Sequence, residues 1–122
     1  MSGLKPLDWP PIEVEVRASE DQLRAMIERV TSNFEHMGQT EPYWSVLSAD
    51  RYRVKNIGKN EEEFYRSGKE PVEMFEATAA RCGLSLSRKM TCFELGCGLG
   101  RSTIWLADIF GRVIGGTSRV RI

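Results

Sequence analysis

The sequence predicts an α/β protein in which helices come first and a strand–helix–strand unit of parallel sheet comes last. Three observations predict it. Leu23, Met26, Ile27, Val30, Phe34 and Met37 recur at the 3.6-residue period of a helix. A short apolar strand, about Met90 to Leu95, carries Glu94 near its end and turns through the alternate glycines Gly96, Gly98 and Gly100. A further helical stretch and a second strand, Arg112 to Gly115, follow at once, and a right-handed parallel crossover is the connection expected between the two strands.

Each element has a local reason. Residues 1–18 form an extended lead-in, because Pro6, Pro10 and Pro11 disfavour helix. The alternation of Ile12, Val14 and Val16 within it suits one short strand or a segment laid over a partner. Residues 19–83 read as a helical cap segment. Ser19 with Gln22 three residues on is a capping box, and Gly38 is the expected terminator of the helix it opens. The stripe of that helix is assigned to the core, since a half-polar helix in a small domain must bury something. Residues 48–59 are charged and lack periodicity. Asn60 is a candidate cap for a short helix through Tyr65, which Ser67 and Gly68 would close. A helix from about Pro71 to Cys82 follows, with Val72, Phe75, Ala79 and Cys82 as its buried face and Gly83 as its end. Residues 84–122 hold the first strand, the glycine turn, a helix from about Arg101 to Phe110, and the second strand.

Composition narrows the function. With 17 basic and 17 acidic residues among 122, no net charge points to nucleic acid, and no acidic run points to a disordered tail. The 41% hydrophobic and 28% charged residues are those of an ordinary globular domain. No apolar run reaches the roughly 18 residues of a membrane span, and the amino terminus has no signal-peptide core, so the cytoplasm is the expected compartment. Three cysteines, Cys82, Cys92 and Cys97, form no familiar zinc spacing with the lone His36, and are read as small packing residues without metal.

The glycine turn carries the chemistry. Glycines reach positive φ and let another molecule approach the backbone where a Cβ would collide. A crevice at the carboxyl end of a strand is where open α/β sheets bind ligands. The following helix contributes free amides, and Glu94 a carboxylate wall, so the site suits a ligand carrying both a carboxylate and a cation. A Walker phosphate loop is excluded, because no Gly-Lys-Ser/Thr follows the glycines.

The acid-x-Gly-x-Gly-x-Gly run Glu94, Gly96, Gly98, Gly100 resembles motif I of the class I S-adenosylmethionine-dependent methyltransferases. The resemblance implies a Rossmann-like fold and S-adenosylmethionine as cofactor. The loop, including Cys97 at its variable position, would cradle the methionine and ribose portion, and Glu94 would meet the amino-acid end. Glu41-Pro42-Tyr43-Trp44-Ser45-Val46-Leu47 and Phe64-Tyr65-Arg66-Ser67-Gly68 further resemble a bacterial subgroup with a helical segment over the cofactor crevice. That likeness implies that Tyr65, Ser67 and Gly68 lie near the cofactor, with Tyr43 and Trp44 in the cap. Core packing between cap and sheet is the alternative for those aromatic residues.

Two positions depart from the family. A second acid for the ribose hydroxyls is expected at the end of the second strand, where this chain has Thr117. The family's sheet has seven strands, so this sequence reads as the amino-terminal portion of such an enzyme, a truncated copy ending in Arg119-Val120-Arg121-Ile122. The expected function is transfer of a methyl group to a small or unidentified acceptor, with no catalytic residue nominated, no nucleic acid and no membrane. Self-association through exposed sheet edges is expected of so small a sheet. The rival readings are a non-catalytic binding or assembly module that keeps the crevice, and a dinucleotide-linked oxidoreductase. Against the oxidoreductase, Arg101 stands where its G-x-G-x-x-G fingerprint needs a small residue.

Overall fold

A computed structural model of the chain describes residues 13–117. Helices precede a two-stranded parallel sheet, an α/β arrangement of α1 (Glu20–Thr40), α2 (Glu61–Arg66), α3 (Lys69–Arg81), β1 (Thr91–Leu95), α4 (Thr103–Ile109) and β2 (Arg112–Gly116). Residues 1–12, with Ile12 and most of the lead-in, and the basic ending 118–122 lie outside the described residues. Val14 and Val16 belong to no strand and are exposed, so the alternation makes no sheet among the residues described.

The capping box forms as expected: Gln22 N–H donates to Ser19 Oγ at 3.2 Å, and Ser19 N–H donates to Gln22 Oε1 at 2.8 Å. Gly38 does not end α1. A single glycine costs a helix only about 1 kcal/mol, and the closing bonds lie further on: Thr40 Oγ1 donates to the His36 carbonyl, and Glu41 N–H to the Met37 carbonyl at 2.8 Å. The core assignment of the α1 stripe is overturned. No residue of α1 is buried, and Met26 and Ile27 are 60% and 65% exposed. Among the described residues, the amino-terminal turns of the helix border the lead-in at Glu15–Ala18, and its carboxyl end, through Phe34 and Gly38, borders the glycine loop.

Between α1 and α2 the chain makes two 3-10 turns, Asp50–Tyr52 and Ile57–Lys59. Their three-residue period leaves no amphipathic signature, yet they bury Tyr52. Asn60 is not a side-chain cap for α2; its Nδ2 donates instead to the carbonyls of Arg51 and Asn56, at 3.1 and 2.9 Å. α3 starts at Lys69, with Pro71 still in its first turn, where a missing N–H costs nothing.

The main apolar cluster joins Val72 of α3 to Leu106 and Phe110, with Cys92 and Val113 of the two strands packed against it. Of the face expected on α3, Val72 and Ala79 are buried, but Phe75 and Cys82 are exposed. The sheet beneath α3 has two strands, and Phe75 overhangs the free side of β1. Among the described residues nothing covers the opposite face of the sheet, where Phe93 and Leu95 are 64% and 85% exposed. Pairing is parallel, with Phe93 opposite Ile114 and Leu95 opposite Gly116. Among the described residues, no helix is long and apolar enough to cross a membrane.

Candidate functional site

The chain leaves β1 through a loop that depends on left-handed glycines. Gly96, Gly98 and Gly100 have φ of 77°, 51° and 80°, a region that residues with a Cβ rarely enter. The loop is tied to the end of the neighbouring strand, since Gly96 N–H and Cys97 N–H both donate to the Gly116 carbonyl, at 2.6 and 3.2 Å. Those two amides are therefore engaged within the protein. Gly100 N–H closes a turn onto the Cys97 carbonyl at 2.9 Å, and α4 begins only at Thr103, two residues later than the sequence suggests.

A hollow of about 290 Å³ opens at the carboxyl ends of the strands. Gly96, Gly98 and Thr117 form its sheet side, while Ser45, Val46 and Phe34 close it from the cap. A Cβ on Gly98 would stand 3.6 Å from Val46 Cγ2, pointing at the cap. The sequence singled out the glycines and Thr117. It gave no signal for Phe34, Ser45 or Val46, because their approach depends on where the end of α1 and the turn after it lie.

Tyr65, Ser67 and Gly68 reach the same loop from behind, and their polar groups bond to it. Tyr65 OH donates to the Leu99 carbonyl at 3.3 Å, and Arg101 Nη1 donates to Ser67 Oγ at 3.1 Å. Trp105 Nε1 donates to the Tyr65 carbonyl at 2.7 Å, fixing α4 to the end of α2. Gly68 is buried, and a Cβ there would lie 2.0 Å from the Arg101 carbonyl oxygen. A glycine is required at that close approach although its φ of −73° is ordinary. These residues brace the loop.

The aromatic residues of the cap form a knot around Phe64. Tyr43, Tyr52 and Tyr65 meet its ring edge-on, with centroids 4.9, 5.4 and 5.3 Å away, an arrangement favoured by the ring quadrupoles. Tyr43 OH donates to Glu61 Oε1 at 2.6 Å. That bond, followed by partial burial, raises the Tyr43 pKa above the usual tyrosine value. Trp44 carries the Arg53 guanidinium 4.5 Å above its ring.

Glu94 is half-buried and accepts from Thr103 Oγ1 at 2.5 Å, a bond that ties the strand to the first turn of α4. It borders a neighbouring hollow of about 280 Å³ with Phe75 and Ser102, and does not line the glycine hollow. The carboxylate and the glycines thus lie close in sequence but face different recesses. Cys97 packs its sulfur against Gly115, where a Cβ would come within 2.7 Å of it. Burial, and then the nearby Glu94 charge, push the Cys92 thiol above its usual range and keep it protonated. Among the described residues, no three His, Cys, Asp or Glu side chains converge as a metal site would require.

Comparison with known protein families, with curated proteins and with solved structures finds no match to this chain.

Proposed function

We propose that the chain binds S-adenosylmethionine in the glycine hollow, as the cofactor-binding part of a Rossmann-like methyltransferase. The observation that carries this reading is the loop itself: three left-handed glycines at the carboxyl end of a parallel strand, beside a hollow that Thr117 borders from the next strand. The volume of about 290 Å³ is at the small end of ligand pockets, which run from roughly 300 to 1,000 Å³. It suits the methionine and ribose portion of the cofactor better than the whole molecule.

The residues at hand divide the work. Gly96 and Gly98 let the ligand approach the main chain, and Thr117 and Ser45 offer hydroxyls at the rim. Val46 and Phe34 form the apolar wall that keeps water off. Glu94, the countercharge that the resemblance implies for the amino-acid end, borders the neighbouring recess and is bonded to Thr103 instead. When bound, the cofactor supplies a methyl group already activated on a sulfonium. Holding an acceptor in line can then do most of the work, since well-oriented pairs reach effective molarities of about 10⁵–10⁸ M.

Calorimetric titration with S-adenosylmethionine and, separately, with NAD tests the reading. Heat with the first alone is the expected result. Silence with both from a folded sample would overturn it in favour of an assembly module. Gly98→Val should abolish binding and leave the circular dichroism spectrum nearly unchanged, because the new side chain both strains a φ of 51° and projects toward Val46. Glu94→Gln, at a residue that borders the other recess, should leave the affinity nearly unchanged. A loss of about tenfold or more, the usual scale for a charge-assisted hydrogen bond, would instead make Glu94 a contact of the ligand.

A further inference from the structure

The chain between α1 and α2 frames an open recess of about 540 Å³, a volume within the range of ligand sites. Arg51, Lys55, Asn56, Gly58, Lys59 and Asn60 line it, three cations and no carboxylate in a chain of zero net charge. The carboxylates on either side in sequence are committed elsewhere. Asp50 holds Arg53 at 3.3 Å, Glu61 accepts from Tyr43, Glu62 pairs with Arg66, and Glu63 meets Arg51 Nε at 3.1 Å. Among the described residues Lys55 and Lys59 have no ion-pair partner. The frame is fixed by side chains: Asn56 Nδ2 donates to the Asp50 carbonyl at 2.8 Å, and Asn60 Nδ2 to the carbonyls of Arg51 and Asn56. Gly58 is not required by this backbone, since its φ is not left-handed and a Cβ would meet nothing within 4 Å. The missing side chain leaves the main chain beside the two lysines open to close approach.

We propose that this recess binds the phosphate group of a small soluble phosphomonoester, neutralised by Arg51, Lys55 and Lys59. A planar guanidinium matches phosphate oxygens through paired N–H donors, and lysine adds compact point charges. A guanidinium has five donors, and Glu63 meets this one at Nε, so donors remain for the phosphate. The flanking acids set the size of the ligand. Asp50 and Glu61 adjoin the lining in sequence, so an extended polyanion such as RNA or an anionic membrane would lie against carboxylates as well. S-adenosylmethionine carries no phosphate, and none of these residues lines the glycine hollow, so the inference does not rest on cofactor binding.

Titration of the isotope-labelled chain with glycerol phosphate at constant ionic strength, read from amide chemical shifts, tests the proposal. The expected result is saturable movement of the amides from Lys55 to Asn60, half complete at roughly 1 mM, with none when sodium chloride replaces the ester. Lys55→Gln combined with Lys59→Gln, both at exposed positions, should raise the dissociation constant about tenfold or more. Gly58→Leu should do the same with the fold intact, because a Cβ there meets nothing. The spectrum itself reports whether each variant is folded. Shifts that follow ionic strength alone, or a double variant that binds as tightly as the wild type, would overturn the proposal. So would binding to phosphatidic acid vesicles or to single-stranded RNA without any to glycerol phosphate, since the cations would then read a surface and not a small molecule.

Discussion

α1 and α2 differ in length, in capping and in what they bury. α1 has 21 residues, a complete capping box and an apolar stripe running most of its length, yet none of its side chains is buried. α2 has six residues and three glutamates in its first turn, and its Phe64 has no exposure at all. Helical stability in proteins comes mainly from packing an apolar face rather than from propensity. The short helix has that packing: three tyrosines converge on Phe64, and Trp105 reaches the carbonyl next to it. The long helix carries the stronger pattern and buries none of it among the described residues. A periodic stripe tells which side of a helix is apolar, and says nothing of what covers it.

The largest expected effect lies in the buried half of that contrast. Phe64→Ala empties the centre of the aromatic knot and should cost about 3–5 kcal/mol, the range for truncating a buried phenylalanine. Urea unfolding would measure it. A loss below about 1 kcal/mol would mean that α2 is no better supported than α1. Next in size is Gly68→Ala, which drives a Cβ to 2.0 Å from the Arg101 carbonyl oxygen. The backbone of the glycine loop must yield, at the roughly 1–3 kcal/mol typical of overpacking. Because Gly68 braces that loop from behind, cofactor affinity should fall together with stability. A variant that loses stability but binds normally would separate the brace from the site.

The same contrast explains what was legible in the residues. The capping box, the glycine turn and the parallel pairing of the two strands are local patterns, and each forms as the sequence predicts. Tyr52 was not legible, because its burial comes from a 3-10 turn without amphipathic period. Phe75 carries the right spacing for the core but is 44% exposed, since its ring meets Phe110 on one side and borders an open recess beside β1 on the other. Glu94 and Gly96 are two residues apart and border separate recesses, because the chain leaves the strand at Gly96 with a φ of 77°, a turn that motif matching does not resolve. Phe34, Ser45 and Val46 join the hollow through tertiary placement alone.

A smaller effect sharpens the aromatic side of the comparison. Tyr43→Phe removes the 2.6 Å bond to Glu61 while keeping the ring against Phe64, so about 1 kcal/mol should be lost near neutral pH. The folded-state pKa of Tyr43 is raised, first by that bond and then by partial burial. Its contribution is therefore complete below the ordinary tyrosine pKa of about 10 and fades as pH rises beyond it. Denaturation midpoints of wild type and variant should differ at about pH 8 and draw together as the pH rises past about 10 toward the raised folded-state value. A gap that persists in alkali would assign the loss to packing and not to the hydroxyl.

The smallest effect tests α1. Ile27 is 65% exposed, and Ile27→Ser removes an apolar side chain that touches little in the single chain. Exposed substitutions of this kind stay within about 0.5 kcal/mol, so the unfolding midpoint of a dilute sample should scarcely move. The informative variable is concentration. If the stripe is covered in solution, the cost of the serine will grow with protein concentration, because lost apolar contact then weakens an association by mass action. If the cost stays small at all concentrations, the stripe of α1 is open to solvent, and the contrast with the packed Phe64 holds in solution.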